Sequence, residues 1–196
     1  MKAADLPLHY NAASILENNV IHRPQKIGLY TQDNEFTFSE LNAEANQVAN
    51  ALRKIGLRQG ETVALLGADS KEWVTAFFGV LKSGAIAAGL NTLLTTKDYE
   101  YILNDCGARI AFVHESILPQ IGAIQTTFKN LKHIVVIGTN TPGRLSFESF
   151  IEGESQDFET IQTHREDYSC LNYSSGTTGA PKGILHAHKD LPLTAQ

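Results

Sequence analysis

Four short apolar runs punctuate the first two thirds of the chain: TVALLG (Thr62–Gly67), AIAAGL (Ala85–Leu90), RIAFVH (Arg109–His114) and HIVVIG (His133–Gly138). None alternates apolar with polar residues, so each predicts a strand covered on both faces. Amphipathic stretches separate them. From Leu41 the apolar positions Ala45, Val48, Ala49 and Leu52 follow helical spacing, with Ser39 as the expected N-cap and Gly56 just past the end. SKEWVTAFFGVLKSG predicts a second helix ending at Gly84, opened by an Asp69/Glu72 capping box. Thr95 and Asp98 form another such box ahead of KDYEYILND, and a further helix is expected over 116–129. Upstream, Asn11 is the expected cap of a helix running to His22. KIGLYTQDNEFTF then predicts a hairpin turning at Gln32, Asp33 and Asn34. Buried strands alternating with amphipathic helices predict an α/β fold: a layered sheet of mainly parallel strands with helices on both faces.

The texture changes between Thr139 and Asp167. TNTPGR reads as a turn, LSFESFIE as one short helix, and GESQDFETIQTHRED as an acidic, solvated connection. SCLNY and GILHA then predict two more strands around a Gly-rich loop, and HKDLPLTAQ begins another element. The expected organisation is an α/β subdomain over 1–168, followed over 169–196 by the loop and the start of a next subdomain.

Composition sharpens this picture in a few places. Of 196 residues, 42% are hydrophobic and 19% charged, which suits a packed core. A net charge of −5 argues against nucleic acid and anionic membrane surfaces as partners. The opening MKAADLPLHYNAA has no apolar core of a signal peptide. No apolar run approaches the ~18 residues of a membrane span. Two distant cysteines, Cys106 and Cys170, read as buried thiols in a reducing compartment, so the cytoplasm is the expected location.

The most chemical stretch is YSSGTTGAPKG, Tyr173–Gly183. Gly176, Gly179 and Gly183 allow a backbone to approach a ligand closely. Successive N–H groups in such a turn can converge on an anion. Ser174, Ser175, Thr177 and Thr178 add hydroxyls, which can also reach a Mg2+ shell, and Lys182 adds a full positive charge. A Walker A loop is excluded: Lys182 is followed by glycine, and a β-like segment follows where a helix is required. The dinucleotide pattern GxGxxG is also absent.

YSSGTTGAPKG resembles the phosphate-binding signature of the adenylate-forming superfamily, which comprises acyl- and aryl-CoA synthetases, luciferases and peptide-synthetase adenylation domains. The segment from Phe36 to Val113 is similar to the N-terminal subdomain of these enzymes. NTLLTTKDYEYILND and YSSGTTGAPKGILHAH look most like benzoate-type aryl-CoA ligases. The resemblance implies an ATP-dependent, AMP-forming acid–CoA ligase: a carboxylic acid, aromatic in the favoured reading, attacks the α-phosphate of ATP, and coenzyme A then displaces AMP. Implied ligands are ATP, Mg2+ and coenzyme A. Phosphate contacts fall to Ser174, Ser175, Gly176, Thr177, Thr178, Gly179 and Lys182, with Lys182 in the catalytic role. The family's adenine pocket and C-terminal lysine have no counterpart here, so the chain is expected to be an N-terminal piece, inactive alone and prone to associate or dimerise. Two other readings stay open: an adenylation domain that loads a carrier protein, and a non-catalytic nucleotide-binding truncation.

Other residues carry weaker signals. His186 and His188 are two apart on the expected final strand and would share a face; a third metal ligand is not apparent, so no metal site is expected. Trp73 and Phe77 share a helical face and read as core.

Overall fold

The structure, a computed structural model, describes residues 5–139, 141–174 and 180–194. Helix α1 (Ser14–His22) leads into a small antiparallel ribbon of β1 (Ile27–Tyr30) and β2 (Glu35–Thr37). The main body then runs α2 (Phe38–Lys54), β3 (Thr62–Leu66), α3 (Lys71–Lys82), β4 (Ile86–Leu90), α4 (Thr96–Asp105), β5 (Ile110–His114), α5 (Leu118–Ala123), β6 (His133–Ile137), β7 (Leu145–Ser146), α6 (Phe147–Ile151), β8 (Tyr168–Ser174), β9 (Lys182–Ala187) and α7 (Asp190–Thr194). Strands β3 to β9 form one seven-stranded sheet in the order β7-β6-β5-β3-β4-β8-β9. Every neighbouring pair is parallel except β8 and β9, which make an antiparallel hairpin at one edge. The strands beyond residue 168 thus belong to the same sheet as those before it.

The expected doubly covered strands are present because successive side chains serve opposite cores. Val63 and Leu65 of β3, with Ile110 and Phe112 of β5, pack against α2, α3 and α6. Ala64, Leu66, Ala111 and Val113 pack against α4 and α5. No position on these strands can be polar without reaching one core or the other. Helices α2 and α3 approach so closely that a Cβ on Gly79 would lie 2.6 Å from Val48 Cγ1 and 3.0 Å from the Ala45 carbonyl. Glycine is what permits that contact.

Several element ends differ from the sequence reading. Thr37, not Ser39, caps α2: its hydroxyl accepts from the Glu40 N–H, and Glu40 Oε2 accepts from the Thr37 N–H at 2.8 Å. Ser70, not Asp69, caps α3, its hydroxyl accepting from the Trp73 N–H at 3.2 Å. The Thr95/Asp98 box forms as read. Helix α1 starts at Ser14, with the Asn11 side chain accepting from the Ala13 N–H one turn earlier. The helix expected over 116–129 shortens to α5 and a 3-10 turn at Gln125–Thr127. Gly122 and the Thr126–Thr127 pair weaken its second half.

The acidic connection is exposed along much of its length, yet it is strapped down. Nδ2 of Asn46 donates to the Gln156 carbonyl (2.7 Å), and Nδ2 of Asn50 to those of Ser155 and Asp157 (2.9 and 3.0 Å). Arg53 lies over the Phe158 ring. Further on, the buried Lys82 ammonium meets Glu17 at 2.5 Å, and Thr160 donates to the same carboxylate. Carboxamides on an otherwise apolar helix face supply the donors that the free strand of chain lacks.

Candidate functional site

The chain leaves β3 toward α3 on one face of the sheet and leaves β4 toward α4 on the other. In open α/β sheets such a divergence opens a crevice at the carboxyl ends of the strands, where ligands bind. A cleft of about 600 Å³ lies there. Gly67 to Asp69 follow β3 along its wall, Gly89 to Thr92 close β4, and Asn172 comes from β8. Trp73 and Phe77 stack with centroids 5.6 Å apart and form the aromatic side. The indole passes over two glycines: a Cβ on Gly89 would sit 3.5 Å from it, and one on Gly67 3.6 Å. The pair read as core is therefore core on one side and cleft wall on the other.

Two residues past Asn172, the hairpin of β8 and β9 carries the Gly-rich motif. Its register pairs Asn172 with Ile184, Tyr173 with Gly183 and Ser174 with Lys182. Ser174 and Lys182, the outermost motif residues proposed to touch phosphate, thus face each other across the hairpin mouth. Ser175, Gly176, Thr177, Thr178 and Gly179 lie outside the described residues. Among the described residues Lys182 joins no ion pair, leaving its charge available to an anion.

The hairpin is fixed at both ends by contacts that sequence spacing does not reveal. At the mouth, the Tyr173 hydroxyl donates to Asp105 Oδ2 at 2.6 Å, reaching the last residue of α4. Burial, reinforced by that hydrogen bond to a carboxylate, holds the Tyr173 phenol well above its ordinary range, so it stays a donor. At the other end, β9 stops at Ala187 and His188 turns inward. His188 therefore does not share a strand face with His186, as the two-residue spacing suggested. Its side chain is fully buried, and Nδ1 accepts from the Ala12 N–H at 3.0 Å. That bond places the proton of the neutral ring on Nε2, which has no partner among the described residues. Burial holds the imidazole down at about 4, against a smaller opposing pull from Asp167.

Both cysteines are unpaired. Burial lifts the Cys106 thiol to about 11 and raises Cys170 as well, so neither is a ready nucleophile. Among the described residues no cluster of three or more His, Cys, Asp and Glu side chains stands together. None of the described helices is long and apolar enough to cross a membrane.

Comparison with known proteins gives a consistent picture. A family profile described as "AMP-binding enzyme" matches residues 16–195. The chain is 36% identical to a benzoate–CoA ligase of Thauera aromatica, over 99% of this chain and 37% of that protein. It is 33% identical to a 3-hydroxybenzoate–CoA/4-hydroxybenzoate–CoA ligase of the same organism, over 89% of this chain and 35% of that protein. Among solved structures, the anthranilate CoA ligase AuaEII, crystallised in complex with anthranoyl-AMP, is 57% identical with a TM-score of 0.97. That match covers all of this chain and 38% of the ligase. This chain therefore spans little more than a third of the length of the relatives it matches.

Proposed function

Because this chain belongs to the AMP-binding enzyme family, we propose that it forms the N-terminal part of an ATP-dependent, AMP-forming ligase. The whole protein would activate an aromatic carboxylic acid as its acyl-adenylate and transfer the acyl group to coenzyme A. The carrying observation is the hairpin mouth: Ser174 and Lys182 stand opposite each other beside the cleft at the carboxyl ends of β3, β4 and β8. The aromatic choice draws on the ligases it is similar to, which are named for benzoate, hydroxybenzoates and anthranilate.

Negative charge builds on the departing pyrophosphate during adenylation, and donors fixed in advance lower that barrier most. In this reading the hydroxyls of Ser174, Ser175, Thr177 and Thr178 and the backbone of Gly176 and Gly179 embrace the β- and γ-phosphates. Lys182 neutralises the leaving group. Where Mg2+ accompanies the triphosphate, the motif hydroxyls would be the groups to reach it, and the ion would offset phosphate charge there. Residues 1–168 then act as the scaffold and 169–196 as the nucleotide-gripping part, a division of role within one sheet. The free thiols support the cytoplasm as the compartment.

The test is ATP–pyrophosphate exchange by the full-length protein with benzoate and 2-aminobenzoate. Exchange is expected in the wild type, and Lys182→Ala is expected to slow it about a hundredfold with little change in KM for the acid. No exchange with any aromatic or aliphatic acid would reject the reading, and an unaltered Lys182→Ala rate would reject the role of that lysine.

A further inference from the structure

The ladder joining β4 to β8 pairs Ala87–Gly89 with Cys170–Asn172 and stops there. Tyr173 and Ser174 run on past it, and among the described residues their partners within the sheet are only Gly183 and Lys182 of β9. The part of the hairpin that presents Ser174 and Lys182 is therefore an overhang. A two-stranded ribbon alone is marginally stable in water, so the direction in which this overhang points needs another support.

That support reaches it from α4. Asp105 sits at the end of this helix, where a carboxylate faces the negative pole of the helix dipole and gains nothing locally. Its Oδ2 instead accepts the Tyr173 hydroxyl at 2.6 Å. The helix behind it is anchored: Tyr99, Ile102 and Leu103 are buried, and the Tyr99 hydroxyl donates to the Asn91 carbonyl at 2.9 Å. The Tyr173 ring also packs on the other strand, since a Cβ on Gly183 would lie 3.4 Å from its Cζ. One side chain thus spans the overhang and ties it to a rigid helix.

We infer that Tyr173 and Asp105 are a positioning pair, which sets the orientation of Ser174 and Lys182 toward the triphosphate without touching it. The inference rests on the phosphate-binding role proposed above. It separates the tyrosine's two contributions, because Tyr173→Phe keeps the ring over Gly183 and removes only the tether.

In the full-length protein, Tyr173→Phe and Asp105→Ala are each expected to slow ATP–pyrophosphate exchange about tenfold, with KM for 2-aminobenzoate within about twofold. The double variant should be no slower than either single one, because both remove the same bond. Asp105→Asn keeps an acceptor oxygen and should recover most of the rate. By hydrogen-exchange mass spectrometry, peptides spanning 170–174 and 182–187 should exchange faster in Tyr173→Phe and Asp105→Ala while those of β3 and β4 stay unchanged. A wild-type rate in Tyr173→Phe, or additive losses in the double variant, overturns the inference. Faster hairpin exchange with an unchanged rate overturns it equally. Should the wild type show no pyrophosphate exchange at all, the proposed function falls. Hydrogen exchange then decides the tether alone: faster exchange at the mouth supports it, and unchanged exchange removes it.

Discussion

Strands β3 and β9 lie in one sheet, and they are held there in opposite ways. Every residue of β3 is buried, with parallel neighbours on both edges and a helical layer on each face. Four of the six residues of β9 are exposed, Ile184 and Leu185 each by nearly half, and one edge of the strand has no neighbour among the described residues. The first strand is held by area; the second is held by its ladder with β8, by hydrogen bonds of His186 and Ala187 to Ser169 and Asp190, and, through the hairpin, by the point contacts Tyr173–Asp105 and His188–Ala12 at its two ends. A region held by area cannot shift in small steps, because interiors are close-packed. A region held by points can be aimed, and this one carries the Gly-rich motif proposed above to hold phosphate.

The sharpest way to test this contrast is to open the area-held side. Phe112 is fully buried on β5, with the Phe147 and Phe150 rings 6.0 and 5.6 Å away. Phe112→Ala is expected to cost about 3–5 kcal/mol through lost transfer energy and the cavity left behind. A urea titration should show the midpoint falling, with the hairpin losing protection only as the whole chain unfolds.

This division also governs what could be read from the sequence. Strands β3 to β6 were legible because each must satisfy two cores, which leaves an uninterrupted apolar run; β7, only Leu145–Ser146, has no such run and lies within the short helix expected over LSFESFIE. The Gly-rich motif stands out in the sequence because glycines, hydroxyls and a lysine crowd one short segment, and the structure adds that Ser174 and Lys182 face each other across the hairpin. Asp105 was not: it lies 68 residues from Tyr173, and no spacing rule links the end of one helix to a distant strand. The cap of α2 was displaced because Thr37 and Ser39 are both competent, and only Thr37 has a glutamate three residues on. The strapped connection was missed for the same reason as Asp105. Asn46 and Asn50 bind backbone more than a hundred residues away, and only two carboxamides four apart on an apolar helix face hint at it.

A smaller effect probes the point contact at the far end of the hairpin. His188 folds neutral, with its imidazole held at about 4, while the unfolded chain has the ordinary value near 6.5. Below pH ~6.5 the unfolded state therefore binds a proton that the folded state refuses. Stability should fall as pH drops from ~6.5 toward 4 and level off below that, by roughly 3 kcal/mol in all. Carboxylates such as Glu40 and Asp98, held low by their Thr37 and Thr95 hydrogen bonds, add losses of the same sign mainly below pH ~4.5. Urea midpoints of the wild type and His188→Gln across this range separate the two. The slope between pH 6.5 and 4.5 should shrink in the variant, and an identical slope would mean that His188 does not titrate between the folded and unfolded states.

The smallest effect belongs to the exposed face of the hairpin itself. Ile184 pairs with Asn172 and leaves 48% of its surface in water. Losing its partial burial removes little transfer energy, and threonine keeps the β-branching that a strand favours. Ile184→Thr should change unfolding stability by less than about 0.5 kcal/mol, well below the Phe112→Ala cost for a strand in the same sheet. A loss above about 1.5 kcal/mol, read from the same urea titration, would show that β9 is held by area after all. The Tyr173 tether would then add little to a hairpin already fixed.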